Sequence, residues 1–168
     1  MSRLFSSVSE LQHHLKDSIR EGIEHKLMKI VLEIVQKYVD KNVYHNPFKK
    51  EGSEFAYDRT MELMNSITIG ELRMGTKYAT FEVYMDADKI QSNETDEGQW
   101  NQHANIDYTQ DTSDYIPQWI EDGTNGSLWD WKPTHYMADS YFELSDGSLA
   151  RELADALRRE GWDVIMVS

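Results

Sequence analysis

The sequence predicts an α+β fold, and three features predict it. Apolar residues recur every three or four positions over residues 8–38, two runs in the middle alternate apolar with polar, and a second helical stripe lies over 149–157. Steps of three and four gather side chains on one face of a helix, and steps of two gather them on one face of a strand. The 168 residues fit one domain of common size and suffice to bury a core. No internal repeat and no Pro/Ser-rich linker divides the chain, so residues 1–168 read as a single domain.

The first helix carries Val8, Leu11, Leu15, Ile19, Ile23, Leu27, Ile30, Ile34 and Tyr38 on one stripe. Ser7 and Glu10 have the spacing of a capping box and mark its start. Asn42 and then Asn46-Pro47 mark its stop. From Leu27 onward a second stripe appears, Met28, Val31, Leu32, Val35 and Val39. The first half is therefore expected to be half-exposed and the second half covered on more than one side. A helix of about 34 residues reaches roughly 50 Å, longer than a small globule. Either it bends near Gly22, or it projects and packs on another subunit.

Residues 44–60 read as a polar loop, followed by a short helical stretch around Asp58–Met64. Ile67, Ile69 and Leu72 form one alternating run and Phe81, Val83 and Met85 a second, with Gly75-Thr76 as the turn of a hairpin. Residues 86–114 are acidic, rich in Asn and Gln and nearly free of aliphatic side chains, which predicts a long loop. Loops of this length within a domain are commonly functional, and in an assembly protein this one would be a docking arm. The apolar run Tyr115–Ile120 reads as a strand, ended by a turn at Glu121-Asp122-Gly123-Thr124 in which Gly123 takes a positive φ. Trp129, Trp131 and Pro133 lead to a helical stretch near Tyr136–Leu144. Gly147-Ser148 opens the last helix, with Leu149, Leu153, Ala156 and Leu157 on one face and Gly161 beyond its end. Trp162–Val167 is apolar and β-prone and reads as a closing strand.

The charge narrows the function classes. Thirty Asp and Glu against 17 Lys and Arg give a net charge of −13. Such a chain repels phosphate backbones, so sequence-specific DNA or RNA binding is not expected. The acidity either keeps the protein in solution or complements basic partner subunits. There is no cysteine, which removes disulfides, thiolate nucleophiles and Cys-based zinc sites. No apolar run approaches the roughly 20 residues of a membrane span, and MSRLFSSVSELQHHLKD contains no secretory core. The expected location is the cytoplasm, or a particle assembled there.

No catalytic, cofactor-binding or metal-binding residue is expected, and the protein is not read as an enzyme. His13 and His14 are adjacent on a helix and point apart, while His25, His45, His103 and His135 have no ligand at HExxH-like spacing. Asp86 and Asp88, and Asp107, Asp111 and Asp114, lack the central Gly and the terminal bidentate Glu of a calcium loop. A glycosidase reading would place two carboxylates near Trp119, Trp129 and Trp131, but thirty acidic residues supply many accidental pairs and single out none. No G-x-S-x-G elbow and no phosphate-cradling glycine loop is present.

Two blocks carry a family resemblance. Tyr57-Asp58-Arg59-Thr60 with Leu63 and Ser66-Ile67 resembles the R-T-x-x-L-x-x-S-I block of the head–tail joining, or tail-completion, proteins of tailed phages. The stretch Tyr115 to Thr124 resembles their second block, which ends (I/V)-E-x-G-T, here Ile120-Glu121-Asp122-Gly123-Thr124. The order of elements agrees over residues 8–162, on a motif core of about twenty positions. Two departures bear on the position within neck or tail. The acidic segment 86–114 is longer than usual, and Gly52-Ser53-Glu54-Phe55-Ala56 stands where a Pro-Val-Asp-Thr-Gly run is common.

The resemblance implies a small antiparallel sheet packed by the long N-terminal helix and the C-terminal helix. It implies a homo-oligomeric ring, six-fold, in the virion neck. One face of the ring would bind the head connector, the other the tail terminator or tube, and DNA would pass through without specific binding. The alternative within assembly is a tail terminator, or the collar of a contractile particle. The alternative from another class is an acidic inhibitor that mimics nucleic acid. Arg59 pairing with Glu121 would tie the two blocks together.

Overall fold

The computed structural model describes residues 4–45, 61–90, 115–125 and 130–166. Helix α1, Val8–Gly22, starts where its caps direct: Ser7 Oγ accepts from the Glu10 backbone N–H at 3.1 Å. The reciprocal half of the box is displaced by one residue. Glu10 Oε2 accepts from the backbone N–H and the hydroxyl of Ser6, at 2.7 and 2.6 Å. The helical backbone continues through a π-helical turn, Ile23–Leu27, into α2, Met28–Val39, and ends in a second π-helical turn, Asp40–Tyr44. The stop signal Asn46-Pro47 lies outside the described residues.

The π-helical turn has a packing reason. The buried residues Ile23, Leu27, Val31, Val35 and Val39 stand four apart. In a regular α-helix each step of four overshoots a full turn by about 40°, so such a row winds round the helix. A π-helical turn, closed here by the Met28 N–H donating to Ile23 O, takes more residues per turn and rotates the row back. The change of pitch directly follows Gly22, the residue that the sequence singles out as a bend. The halves differ in cover as expected: Val8 is 72% exposed, whereas Val35 and Val39 are 2% and 0% exposed.

The remaining elements are α3, Glu62–Ser66; strands β1, Ile67–Ile69, β2, Arg73–Met74, β3, Ala79–Thr80, and β4, Val83–Met85; and a 3-10 turn, Ala87–Lys89. They are followed by α4, Ile116–Asp122; β5, Thr124–Asn125; β6, Asp130–Trp131; α5, Tyr136–Leu144; and α6, Ser148–Arg159. Helices at both ends with small two-stranded antiparallel pairings between them make the fold α+β, as the sequence predicts.

The predicted hairpin forms, with an irregularity the alternation does not reveal. Near its tip Arg73 faces Thr80, Met74 faces Ala79, and the Gly75 N–H donates to Tyr78 O at 2.8 Å, leaving Thr76-Lys77 as the loop. At its base the Gly70 N–H donates to Glu82 O and the Asp86 N–H to Ser66 O, both at 2.8 Å. Between the two registers Glu71 and Leu72 oppose Phe81 alone. That is a β-bulge, which kinks the ribbon and increases its twist. Leu72 therefore sits in the bulge rather than in the alternating face. The exposed Tyr78 ring packs over Gly75, where a Cβ would lie 2.8 Å from it and turn the ring aside.

Three expectations are corrected. Tyr115–Ile120 is not a strand. Residues Ile116–Asp122 are helical, because Pro117 suits the first helical turn, where its missing N–H costs nothing, and Ile116 and Ile120 share a face. Gly123 does take a positive φ, of 75°, but it ends a helix. The acidic loop does not begin at residue 86: Ala87–Lys89 form a 3-10 turn and Ile90 is buried, while 91–114 lie outside the described residues. Finally, 162–166 joins no ladder among the described residues. The α6 end holds it instead: the Trp162 N–H donates to Leu157 O and the Arg158 guanidinium to Val164 O, at 3.1 and 2.9 Å.

The chain gathers into two compact units, each built from separated segments. The first comprises Met1–Ile34, Ile69–Val83 and Tyr141–Ser168. In it α1 and α6 approach closely at Gly22, where a Cβ would stand 3.2 Å from Leu153 Cδ1 and 3.7 Å from Ala156 Cβ. An ion pair between Lys26 and Glu152, at 2.8 Å, lies beside this contact. The second unit comprises Val35–Thr68 and Tyr84–Ser140 and buries Val35, Val39, Leu63, Ile67, Ile90, Ile116 and Tyr136.

Candidate functional site

The second unit contains a joint between α4 and α5 in which each helix caps the other. The last carbonyls of α4 accept from the residues that precede α5: Ile120 O from the Thr134 hydroxyl at 2.7 Å, and Glu121 O from the Thr134 and His135 N–H groups at 3.1 and 3.2 Å. In return the Glu121 carboxylate accepts from the Met137 and Ala138 N–H groups of α5, at 2.8 and 3.0 Å. First-turn N–H groups have no partner within their own helix, and the helix dipole favours a negative charge beside them. Asn42 closes the joint from the helix before it, donating to Thr134 O at 2.9 Å and to Asp139 Oδ2 at 2.8 Å. Tyr136 is 1% exposed and donates its hydroxyl proton to Pro117 O at 3.0 Å. Burial, and then the Glu121 and Asp122 carboxylates, push its phenol well above the usual range. His135 takes a φ of 52°, a left-handed conformation held by these bonds.

The joint is saturated with hydrogen bonds, and its chemistry is that of a structural clamp. It also accounts for the second sequence block. Within the first block Leu63, Ser66 and Ile67 are buried, and the Ser66 hydroxyl donates to Leu63 O at 2.8 Å. The described residues of both blocks therefore build the core and the caps of one unit. Tyr57–Thr60 lie outside the described residues, and so does the pairing suggested for Arg59.

Among the described residues the first unit exposes more large apolar side chains than the second, where Met61, Tyr84 and Tyr115 are exposed. The α1 stripe that is buried at Ile23 and Leu27 emerges at Leu15, Leu11 and Val8, all exposed, and Leu4 before the helix is 96% exposed. Tyr141 and Phe142, edge to face with ring centroids 6.3 Å apart, are also exposed. So are Ile165 and Met166. The His14 ring lies between Phe5 and Trp162, with centroids at 5.3 and 5.5 Å, so the segment after α6 runs beside the first half of α1. Contiguous exposed apolar patches are where proteins meet partners or ligands.

Histidines and acids weighed as ligands are spread apart. His13 Nδ1 donates to Ser9 O at 3.3 Å, and His45 lies 3.2 Å from the Asp40 carboxylate. His25 and His135 are exposed, and His103 is outside the described residues. Asp86 pairs with Lys89 at 3.3 Å; Asp107, Asp111 and Asp114 are outside the described residues. Among the described residues no three His, Asp or Glu side chains gather closely enough to hold a metal ion. Trp119 stacks on Tyr115 with centroids 5.9 Å apart. No helix among the described residues is long and apolar enough to cross a membrane.

The charge is unevenly distributed along the chain. Residues 84–140 hold twelve Asp and Glu against two Lys and no Arg, so most of the net −13 lies there. The segments of the first unit carry ten Lys and Arg against thirteen acids. The exposed apolar stripe thus belongs to the nearly neutral part of the protein.

Comparison with family models returns a match to YomN over residues 7–159. The chain belongs to the YomN family. That family name is of phage-derived, SPbeta-type origin, which puts the chain among phage proteins. The match spans the long helix, the hairpin, the joint and α6. Comparison with curated proteins and with solved structures returns no match. Sequence reasoning missed Glu121 as a cap, because its N–H partners are 16 and 17 residues away and no local spacing marks them.

Proposed function

We propose that this YomN-family protein is a structural virion component, a ring in the head–tail neck of a tailed phage or phage-like particle. The observation that carries the reading is the α1 stripe, buried at Ile23 and Leu27 and progressively uncovered toward its start, with Leu15 37%, Leu11 38% and Val8 72% exposed. A second copy that covers this end continues a core the chain has already begun. The ring has six copies and is assembled in the host cytoplasm. One face joins the head connector and the other the tail terminator or tube. The acidic stretch 84–140 repels DNA from the wall of the opening, so DNA passes without being held. The protein acts through surfaces and performs no catalysis. A tail terminator or contractile-particle collar would use the same stripe at another level of the particle.

Native mass spectrometry of the purified chain tests the ring, and cryo-electron microscopy of the particle tests its place. The wild type is expected as a closed oligomer of six, and Val8→Asp/Leu11→Asp/Leu15→Asp as a folded monomer. A wild type that stays monomeric, with no copy in the neck or tail of the particle, refutes the proposal. The acidity of 84–140 also favours a second reading, an inhibitor that mimics nucleic acid, against which Arg151, Arg158 and Arg159 on the last helix count. A pull-down from lysate separates the two, recovering a nuclease or recovering connector and tail proteins.

A further inference from the structure

The segment after α6 is built like a strand and paired with none among the described residues. Its residues Trp162-Asp163-Val164-Ile165-Met166 include two β-branched side chains and one Trp, types that favour strands. Burial alternates with period two, Trp162 and Val164 half-buried, Asp163 and Ile165 exposed, the latter at 82%. Val164 O is taken by Arg158, but the backbone groups of Asp163 and Ile165 have no ladder partner among the described residues.

The hairpin tip in the same unit offers what such a segment lacks. Strands β2 and β3 pair only with each other among the described residues, none of which takes the outer edges of the ribbon. A two-stranded ribbon is marginal in water, and a third strand satisfies its edge groups. The charges are complementary. Residues 72–81 carry Arg73 and Lys77 and no acid, whereas residues 160–166 carry Glu160 and Asp163 and no base. All four are exposed.

From this we infer that the copies of the proposed ring contact one another by strand addition: segment 162–166 of one copy, beyond the turn that caps α6, lies along the β2–β3 ribbon of the next. The inference rests on the ring reading and makes the α1 stripe and the segment that runs beside it, where Trp162 meets His14, two parts of one contact, so that losing either part loses the ring. Because the donated segment and the accepting ribbon are different surfaces, the contact is head-to-tail. Heterologous contacts of this kind close into rings when their rotation allows, whereas a face that pairs with itself stops at two copies. Backbone hydrogen bonds supply affinity, and the alternate exposed side chains, Asp163 and Ile165, supply selectivity.

Two full-length variants test it. Ile165→Pro removes a ladder N–H from an exposed position, and Arg73→Glu/Lys77→Glu reverses the charge of an exposed tip, so far-UV circular dichroism should match the wild type for both. Each variant alone is expected to be monomeric at concentrations where the wild type forms rings, an at least tenfold loss of association by analytical ultracentrifugation. Mixed 1:1, they should form dimers that grow no further, since one supplies an intact ribbon and the other an intact segment. If wild-type rings form and both variants still form them, strand addition is refuted while the ring stands. If the variants are monomeric but their mixture is too, the contact is not head-to-tail between these surfaces. A monomeric wild type refutes the ring, and this contact with it.

Discussion

Replacing Glu121 tests the joint between α4 and α5 directly. Its two carboxylate oxygens accept from the Met137 and Ala138 N–H groups at 2.8 and 3.0 Å, in a half-buried position at the start of a helix. In Glu121→Ala both donors lose their acceptor. A buried donor left unsatisfied costs about 1–3 kcal/mol, and a carboxylate beside a helix N-terminus contributes roughly 0.3–1 kcal/mol through the dipole. Because the site is half-buried and water can reach part of the opened space, the lower part of each range applies. The expected total is about 2–3 kcal/mol. For a chain of this size about 1 kcal/mol moves Tm by roughly 2–4 °C, so a drop of about 4–12 °C follows.

Glu121→Gln is the sharper variant. The amide oxygen can still accept one N–H, but the amide nitrogen would face the other donor, and the charge is lost. About half the destabilisation should remain. Asp122→Ala, exposed and one residue along, should stay within about 0.5 kcal/mol of the wild type. Urea unfolding followed by far-UV circular dichroism measures all three, with an unchanged m-value showing that only stability has moved. If Glu121→Ala unfolds within about 0.5 kcal/mol of the wild type, the carboxylate is not a cap and the joint has been misread.

Two further outcomes follow from named contacts. Tyr136 has its phenol pKa raised far above the ordinary 10.0, first by burial and then by Glu121 and Asp122. A group with a raised folded pKa contributes stability that is fully present below the unfolded pKa and is lost as pH climbs past it. Above pH 10 the wild type should therefore lose up to about 1.4 kcal/mol per pH unit from this residue. Tyr136→Phe should lack that part of the slope while costing about 1 kcal/mol at neutral pH for the lost bond to Pro117 O; urea midpoints from pH 8 to 11 compare them, and parallel slopes would contradict the assignment. At Gly22, Leu should cost about 1–3 kcal/mol by overpacking against Leu153 and Ala156. Ala there should be near neutral, because a gain of about 1 kcal/mol in helix propensity offsets the 3.2 Å contact with Leu153 Cδ1; thermal melts that rank Leu and Ala equally would mean that α6 does not press on Gly22.

The elements that were legible in the sequence are those whose signal is local. The long helix announces itself through nine apolar residues at helical spacing and a Ser-x-x-Glu start, and the hairpin through Ile67, Ile69, Val83 and Met85. What was not legible depends on partners distant in sequence or on counts of one residue. The bulge at Glu71-Leu72 appears only when the register at the base is set against that at the tip. Tyr115–Ile120 misleads because a short apolar run fits a strand and a helix turn equally well; Pro117, in a position that suits N1 or N2, was the clue. Ile90 is buried inside a stretch whose composition says loop, since one side chain in the right place outweighs the average of its neighbours. The joint at Glu121 stayed hidden for the same reason.

Among the described residues the two sequence blocks supply core and caps to the second unit through Leu63, Ser66, Ile67, Ile116 and Glu121, while Tyr115, Gln118 and Asp122 are exposed. Most of the exposed large apolar side chains belong to the first unit: the α1 stripe, Tyr78, the Tyr141-Phe142 pair, Ile165 and Met166. Its segments are close to charge balance, whereas 84–140 is strongly acidic, and two such copies repel each other least where the acids are fewest. In the proposed ring, an apolar stripe on the nearly neutral part of an otherwise acidic protein would direct like copies toward that face and keep them apart elsewhere. Adding acids to the α1 flanks, as in Gln12→Glu/Lys16→Glu, should then weaken self-association steeply at low salt and much less at high salt.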